Sequence, residues 1–268
     1  MTVGEKLEAT IVGEVVKAAV NDPNIKEAGK NLSQTVLTIT KAINNVLLPI
    51  AAMNFAFEKA RIYFGEDFQL DITEKTAKIP ADQVVEPKAS VTGPILQGLA
   101  FSHEEPNLKE MYLNLLATAM DGRVASKAHP AFVEIIKQIS SEEALLLKKV
   151  VQSDGPVPII RLQEVLQEGY IVLLTHLINL HHVGRTNIFV ENPQLPAMVD
   201  NWIRLGLVEV SYDEFLLGSE IYSWAEKRPE YIRLKESYEK NGKKVGFTKG
   251  QMKRTDFGKQ FACAVGIV

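Results

Sequence analysis

Side chains that could do chemistry are concentrated on one apolar helical pattern and in the turn that follows it. The group combines carboxylates, an amide, a guanidinium, a hydroxyl and an imidazole: Glu110, Asn114, Asp121, Arg123, Ser126 and His129. Glu110 and Asn114 lie four residues apart and share one helix face, while the other four could converge in the turn. The pattern allows two interpretations. These side chains either satisfy backbone donors of the turn and pair with a neighbouring helix, or they form a binding site for a partner or ligand. No nucleophile is held next to a base, so we predict no catalytic residue.

The rest of the sequence lacks common signatures of hydrolases, nucleotide-binding proteins and metal proteins. It contains no G-x-S-x-G turn, no G-x-x-x-x-G-K-[ST] phosphate loop and no H-E-x-x-H helix. His181 and His182 are adjacent, so their side chains point in different directions and are a poor metal pair. The single cysteine, Cys263, cannot form an intrachain disulfide, which favours a reducing cytoplasm. We therefore predict a non-enzymatic, cytoplasmic protein with no cofactor and no metal.

Length and composition indicate an ordinary globular protein. The chain has 268 residues, of which 46% are hydrophobic and 24% are charged, enough for one large domain or two smaller ones. Its formal net charge of −3 excludes a uniformly cationic protein that coats nucleic acid, although it leaves room for a local basic patch. The first twenty residues carry early acidic residues and no continuous apolar run, so they do not resemble a secretory signal.

Apolar residues recur at helical spacing through most of the first 152 residues. We assign residues 1–78 to an N-terminal helical segment and residues 79–152 to a central helical bundle. Three prolines stand where helices of the bundle can begin: Pro94, Pro106 and Pro130. Ser140 and Glu143 have the spacing of a capping box for the helix that follows. The short connections predict antiparallel helix packing.

Residues 153–268 have a different pattern, which is typical of a winged-helix-like module. A helix over 195–205 leads directly into a strand over 207–210, and Thr255 can cap a terminal helix. Residues 244–254 suit a hairpin that turns at Thr248-Lys249-Gly250.

Other parts of this C-terminal region are less uniform. Residues 211–242 read as a helical insertion, and helix signals persist around 162–167. Periodicity alone does not assign residues 170–183 to helix or strand. The predicted fold is therefore mainly α, with an N-terminal helical bundle followed by a winged-helix-like α+β module that contains a small β-hairpin.

Basic residues cluster near the C-terminus and support an alternative function. Residues 226–259 contain eleven Lys or Arg and five Asp or Glu, in a chain whose total charge is −3. The cations that could contact phosphates of nucleic acid are Arg204, Lys243, Lys244, Lys249, Lys253 and Arg254. This alternative is a winged-helix regulator that binds nucleic acid. The competing interpretation is a solvated hairpin whose lysines keep a sheet edge from pairing with other chains.

A second alternative involves the membrane. Residues 32–64 include an apolar run at 46–53, but Pro49 and several polar residues interrupt it. The stretch is more polar than a membrane-spanning helix, which needs about 20 predominantly apolar residues, so two packed helices are the simpler interpretation. A membrane-active effector that works through residues 32–64 stays open as a hypothesis.

Several ordered motifs resemble the abortive-infection alpha family of bacterial proteins. They are Ile79-Pro80, Val85-Glu86-Pro87, Leu108-Lys109-Glu110-Met111, Ser126-Lys127-Ala128-His129-Pro130, Leu195-Pro196-Ala197-Met198, Arg204-Leu205-Gly206-Leu207 and Thr255-Asp256-Phe257-Gly258. The resemblance runs from about residue 79 to the C-terminus. It implies a role in defence against phage through suicide or dormancy of the infected cell, and it brings no established catalytic residues. Our leading hypothesis is a non-enzymatic defence protein that acts through protein contacts or self-association as an oligomer.

Overall fold

The computed structural model describes residues 54–153, 155–182, 185–218 and 220–268. The described chain separates into two units. Unit 1 holds the described residues up to Leu145 together with Phe261–Val268, and unit 2 holds Leu146–Gln260.

Unit 1 is built from α-helices. Their bounds are α1 Asn54–Glu66, α2 Phe68–Thr76, α3 Ala89–Ser102, α4 Pro106–Met120 and α5 Pro130–Lys137, with short 3₁₀ turns at Ala81–Gln83 and Ala125–Lys127. Pro106 and Pro130 stand at the first positions of their helices, where a missing N–H costs no hydrogen bond. Pro94, in contrast, lies inside α3 and does not begin it.

The core of unit 1 lies where the apolar faces of these helices meet. Leu99 of α3 and Leu116 of α4 are completely buried. Phe132 of α5 packs edge-on against Phe261, with ring centroids 5.5 Å apart. Burial of this kind contributes about 25 cal/mol per Å² of apolar surface, which is the main stabilising term in such a bundle.

The predicted capping box is confirmed at the start of helix α6, Ser141–Val151. The Glu143 backbone N–H donates to the Ser140 hydroxyl over 3.1 Å, and the Ser140 N–H donates to the Glu143 carboxylate over 3.3 Å. Two backbone donors that have no partner within the helix are thereby satisfied.

Unit 2 is organised around an antiparallel sheet of four strands. The strands are β1 Val157–Val165, β2 Tyr170–Ile178, β5 Val208–Ser211 and β6 Lys244–Arg254, in the order β2-β1-β6-β5. A second, two-stranded sheet pairs β3 His181–His182 with β4 Arg185–Phe189. Helices α7 Leu195–Arg204 and α8 Pro229–Glu239 complete the unit, with a 3₁₀ turn at Ala225–Lys227, and helix α9 Asp256–Ala264 follows β6.

One face of the four-stranded sheet forms the core of unit 2. Ile160 and Leu162 of β1, Leu177 of β2 and Val245 of β6 point to this side. Tyr222 and Trp224, from the connection between β5 and α8, cover them. Unit 2 also contains the buried Arg228–Glu230 ion pair, whose guanidinium donates to the carbonyl of Leu180 over 3.0 Å.

The prediction of a mainly α fold with a winged-helix-like module is wrong. The described part of the chain is a mixed α+β protein with a curled antiparallel sheet. The predicted hairpin at Thr248-Lys249-Gly250 is the middle of one continuous strand, β6, which pairs with β1 on one side and with β5 on the other. Strand β1 pairs with β6 from Lys244 to Met252, so its ladder continues through the predicted turn and outweighs the local turn signal of one glycine.

Three further segments are settled by the structure. The predicted helix signals around 162–167 are wrong, because this part lies in β1 and in the turn that follows it. Residues 170–178, which periodicity left open, form β2. The predicted sequence of a helix over 195–205, a strand after it and a terminal helix capped by Thr255 is confirmed, and the Gly258 N–H donates to the Thr255 hydroxyl over 2.8 Å.

Among the described residues, no helix is long and apolar enough to cross a membrane. Most of the segment 32–64, on which the membrane hypothesis depends, lies outside the described residues.

Candidate functional site

Glu110 and Asn114 share a face of α4, as predicted, and their side chains contact each other at 3.4 Å. The Glu110 carboxylate also forms an ion pair with Lys75 of α2. The Asn114 amide donates to the carbonyl of Val265 over 3.0 Å. Both side chains therefore link α4 to other parts of unit 1.

Asp121 and Arg123 form a second pair, just after α4. Asp121 is buried, and its carboxylate accepts the Arg123 backbone N–H at 3.0 Å and the guanidinium at 2.8 and 2.6 Å. The hydrogen bonds from Arg123 hold the pKa of Asp121 below its usual range. The backbone beside them is also fixed, because the Gly122 N–H donates to the carbonyl of Gln83 over 2.8 Å. This pair holds the turn in place.

Ser126 and His129 lie on the surface of unit 1. The His129 Nδ1 atom accepts the Ala131 N–H over 3.1 Å and caps α5. Within the described part of the chain, no hydrogen bond or ion pair joins these two residues to Asp121–Arg123 or to Glu110–Asn114. Glu110–Asn114, Asp121–Arg123 and His129 are therefore held in separate local contacts, and Ser126 is exposed beside them in the sequence.

The six cations predicted to contact nucleic acid are mostly engaged within unit 2. Lys243 pairs with Glu164 at 3.1 Å, and Lys253 pairs with Glu214 at 2.9 Å. Arg204 donates to the Asn201 side chain, and Arg254 donates to the carbonyl of Val151. The Lys249 ammonium lies over the Tyr222 ring, 5.4 Å from its centroid, while Lys244 is exposed at the start of β6. Nearby carboxylates thus match the charges of Lys243 and Lys253.

A different polar cluster, which the sequence reasoning missed, lies beside β2. Its centre is His176, which is 9% exposed and has a φ of 60°. A positive φ is uncommon for any residue with a side chain and persists only where the surroundings enforce it. It coincides with a register shift opposite Arg161, between Ile160 and Leu162 of β1, so the His176 N–H is turned away from the ladder.

Two side chains hold His176 in this conformation. The Tyr212 hydroxyl accepts the His176 backbone N–H over 3.0 Å and lies 3.1 Å from the His176 Nδ1 atom. On the other side of the ring, the Nε2 atom is 3.1 Å from the Asp200 carboxylate of α7. Burial lowers the pKa of His176, although Asp200 opposes this effect. The neutral ring with its proton on Nε2 fits these contacts, since it donates to Asp200 and leaves Nδ1 to accept from Tyr212.

Arg161 extends the cluster along the sheet. Its guanidinium carbon lies 4.8 Å from the centroid of the Tyr212 ring and 4.8 Å from that of the Tyr170 ring. The Arg161 Nη2 atom also donates to the Tyr170 hydroxyl. The Tyr212 ring in turn reaches the backbone of β6 at Gly250. A Cβ atom there would lie 2.7 Å from this ring and 2.5 Å from the Ser211 carbonyl oxygen. Glycine is required for that close approach.

Unit 2 therefore carries a histidine, an aspartate, two tyrosines and an arginine in contact, on a mixed α+β scaffold. Within the described residues, no group of three or more His, Cys, Asp or Glu side chains could hold a metal ion. The sequence model of the family described as abortive infection alpha matches residues 61–265, which is most of the chain. The chain belongs to this family, as its motifs indicated. No curated protein and no solved structure matches it.

Proposed function

We propose that this chain is an abortive-infection protein of the cytoplasm that works without catalysis, through contacts with a second copy of itself. Membership of the abortive infection alpha family supports the defence role. The observation that carries the proposed mechanism is the outer edge of the four-stranded sheet, formed by β2.

Strand β2 offers an edge on which another strand can pair. It stands at the end of the sheet order, and within the described residues only β1 pairs with it. Its first residues are apolar yet exposed, with Tyr170 at 46%, Ile171 at 51% and Val172 at 41%. Free backbone N–H and C=O groups beside exposed apolar side chains are a template for pairing between chains.

The chemistry of this edge favours a second copy as its partner. The nine residues of β2 include no Asp, Glu, Lys or Arg. Antiparallel pairing about a twofold axis places each strand against an identical strand. Like charges would then repel each other across the axis, but β2 carries no charged residue and avoids this cost. Val165 and Leu166, at 38% and 41% exposure, continue the apolar surface into the turn before β2.

The proposal is tested in bacteria that express the protein and are challenged with phage. Ile171→Lys places a charge on the exposed edge, and Leu70→Lys makes the same change at an exposed site of α2 in unit 1. We expect the wild type and Leu70→Lys to restrict phage while infected cells stop growing, and Ile171→Lys to lose both effects at equal expression. Full protection by Ile171→Lys, or turnover of a nucleotide by the pure protein, would refute the mechanism.

A further inference from the structure

Five side chains form what we call the Arg161 face, on the side of the sheet opposite the core of unit 2. They are Arg161, Gln163, Tyr170, Tyr212 and Thr248. Alternate residues of a strand point to the same side, so Gln163 shares the side of Arg161. Thr248 lies directly opposite Arg161 on β6, and Tyr170 lies opposite Val165, which is again two residues further along β1. Ring contacts place Tyr212 on the same guanidinium.

Arg161 is a partly buried cation with no anionic partner. Its guanidinium carbon lies 4.8 Å from the ring centroids of both Tyr170 and Tyr212, and its buried Nε atom has no hydrogen-bond partner among the described residues. No carboxylate of a described residue forms an ion pair with it. Arg228, a fully buried arginine of unit 2, shows the usual arrangement, since it pairs with Glu230. Taking a cation out of water is costly unless an anion compensates, so Arg161 lacks the group that would balance it.

The neighbours of Arg161 offer hydrogen-bond donors. The Gln163 side-chain oxygen accepts the Thr248 hydroxyl over 2.6 Å, and its amide nitrogen makes no hydrogen bond to a described residue. The Tyr170 oxygen accepts from Arg161, which leaves the phenolic proton for another acceptor. The residues that face these groups from β6 are Gly246, Thr248 and Gly250, none of which carries a charge. A donor-rich face without a carboxylate complements an oxyanion.

We propose that the Arg161 face binds the phosphate group of a phosphate-bearing ligand. A guanidinium can donate two parallel hydrogen bonds to phosphate, and the remaining oxygens of the tetrahedral group can accept from the Gln163 amide and the Tyr170 hydroxyl. A carboxylate accepts hydrogen bonds mainly in its own plane, so it matches donors from several directions less well than a tetrahedral phosphate does. The site lies apart from the six cations predicted from the sequence, and it does not require the pairing of β2.

The test is isothermal titration calorimetry of the full chain with four probes: inorganic phosphate, adenosine monophosphate, a short single-stranded oligonucleotide, and acetate as the carboxylate comparison. We expect at least one phosphate probe to bind more tightly than acetate. Tightest binding of the mononucleotide assigns the phosphate to a free nucleotide, and tightest binding of the oligonucleotide assigns it to a strand. No binding of any phosphate probe at millimolar concentration, or acetate binding of equal strength, would overturn the proposal.

Two variants link the binding to this face. Arg161→Gln should weaken phosphate binding by about 10- to 100-fold, the usual loss for hydrogen bonds to a charged group, while Arg233→Gln, at a surface arginine of α8, should leave it unchanged.

Gln163→Glu keeps an acceptor for Thr248 but gives Arg161 a carboxylate of its own chain. It should abolish phosphate binding and raise the thermal midpoint, whereas the exposed Gln97→Glu of α3 should leave binding unchanged. Undiminished binding in both Arg161→Gln and Gln163→Glu contradicts the assignment.

Discussion

Removal of one hydroxyl group, by Tyr212→Phe, tests whether Tyr212 has the structural role that its contacts indicate. The hydroxyl accepts the His176 N–H over 3.0 Å, approaches the His176 Nδ1 atom at 3.1 Å and reaches the Ile160 carbonyl at 3.4 Å. Phenylalanine keeps the ring that stacks on Arg161, so the substitution isolates the hydrogen bonds.

The expected loss follows from what remains after the hydroxyl is gone. The His176 N–H faces away from the strand ladder because of the positive φ, and it then lies in a buried position without its acceptor. An unsatisfied buried donor costs about 1–3 kcal/mol. The contact to Ile160 is long and contributes little. At an m-value of about 2 kcal/mol/M, a loss of about 2 kcal/mol lowers the urea midpoint by roughly 1 M.

Tryptophan fluorescence is a suitable assay, because the two tryptophans of the chain, Trp202 and Trp224, are both buried in unit 2. The matched control is Tyr238→Phe, since the Tyr238 hydroxyl makes no hydrogen bond to any described residue. This control should change the free energy of unfolding by less than about 0.5 kcal/mol. Equal stability of Tyr212→Phe and Tyr238→Phe would refute the idea that Tyr212 holds His176 in place.

Two more predictions concern the stability of unit 2. Burial lowers the pKa of His176, so the unfolded chain takes up a proton more readily than the folded one, and the free energy of unfolding should fall as the pH drops below about 6.5. Urea titrations at about pH 7.5 and about pH 5.5 should show a smaller fall in His176→Gln, and an equal fall would contradict this account. Gly258→Ala places a Cβ 2.0 Å from the Leu207 carbonyl oxygen, a clash that should exceed the gain of about 1 kcal/mol in helix propensity and give a net loss above about 2 kcal/mol. At Gly65→Ala, no atom of the described residues outside its own helix turn lies within 4 Å of the new Cβ, so this variant should be neutral or stabilising. Similar urea midpoints for the two variants would disprove the close approach.

Features that depend on local chemistry could be predicted from the sequence. The Ser140–Glu143 capping box, the helix starts at Pro106 and Pro130 and the Thr255 cap each involve residues within a few positions of one another. Their hydrogen bonds form wherever the chain turns into a helix, whatever surrounds it.

The sheet could not be predicted in the same way, because its pairing joins distant segments. The sequence predicts a turn at Thr248-Lys249-Gly250 in the middle of β6, whereas Gly250 allows the close approach of the Tyr212 ring. The strands that surround Gly250, β1 and β5, decide whether this glycine forms a turn or allows a close approach. The local sequence pattern does not reveal where those strands lie.

The polar cluster of unit 2 was missed for a related reason. His176, Asp200 and Tyr212 come from a strand, a helix and a loop, and no spacing in the sequence connects them. His176 lies in an apolar stretch, where one histidine reads as a satisfied core residue. The sequence offered one weak signal. Thr175 and His176 are two adjacent polar residues in the otherwise apolar stretch from Ile171 to Ile178, a pattern that is compatible with a β-bulge.

The solution mass of the protein tests the central claim, that β2 pairs with β2 of a second copy, most directly. Analytical ultracentrifugation at micromolar concentration should give a mass twice the chain mass of 29.8 kDa for the wild type and for Leu70→Lys. Ile171→Lys should sediment with the mass of one chain. A wild type that is monomeric, or an Ile171→Lys variant that remains a dimer, would contradict the account.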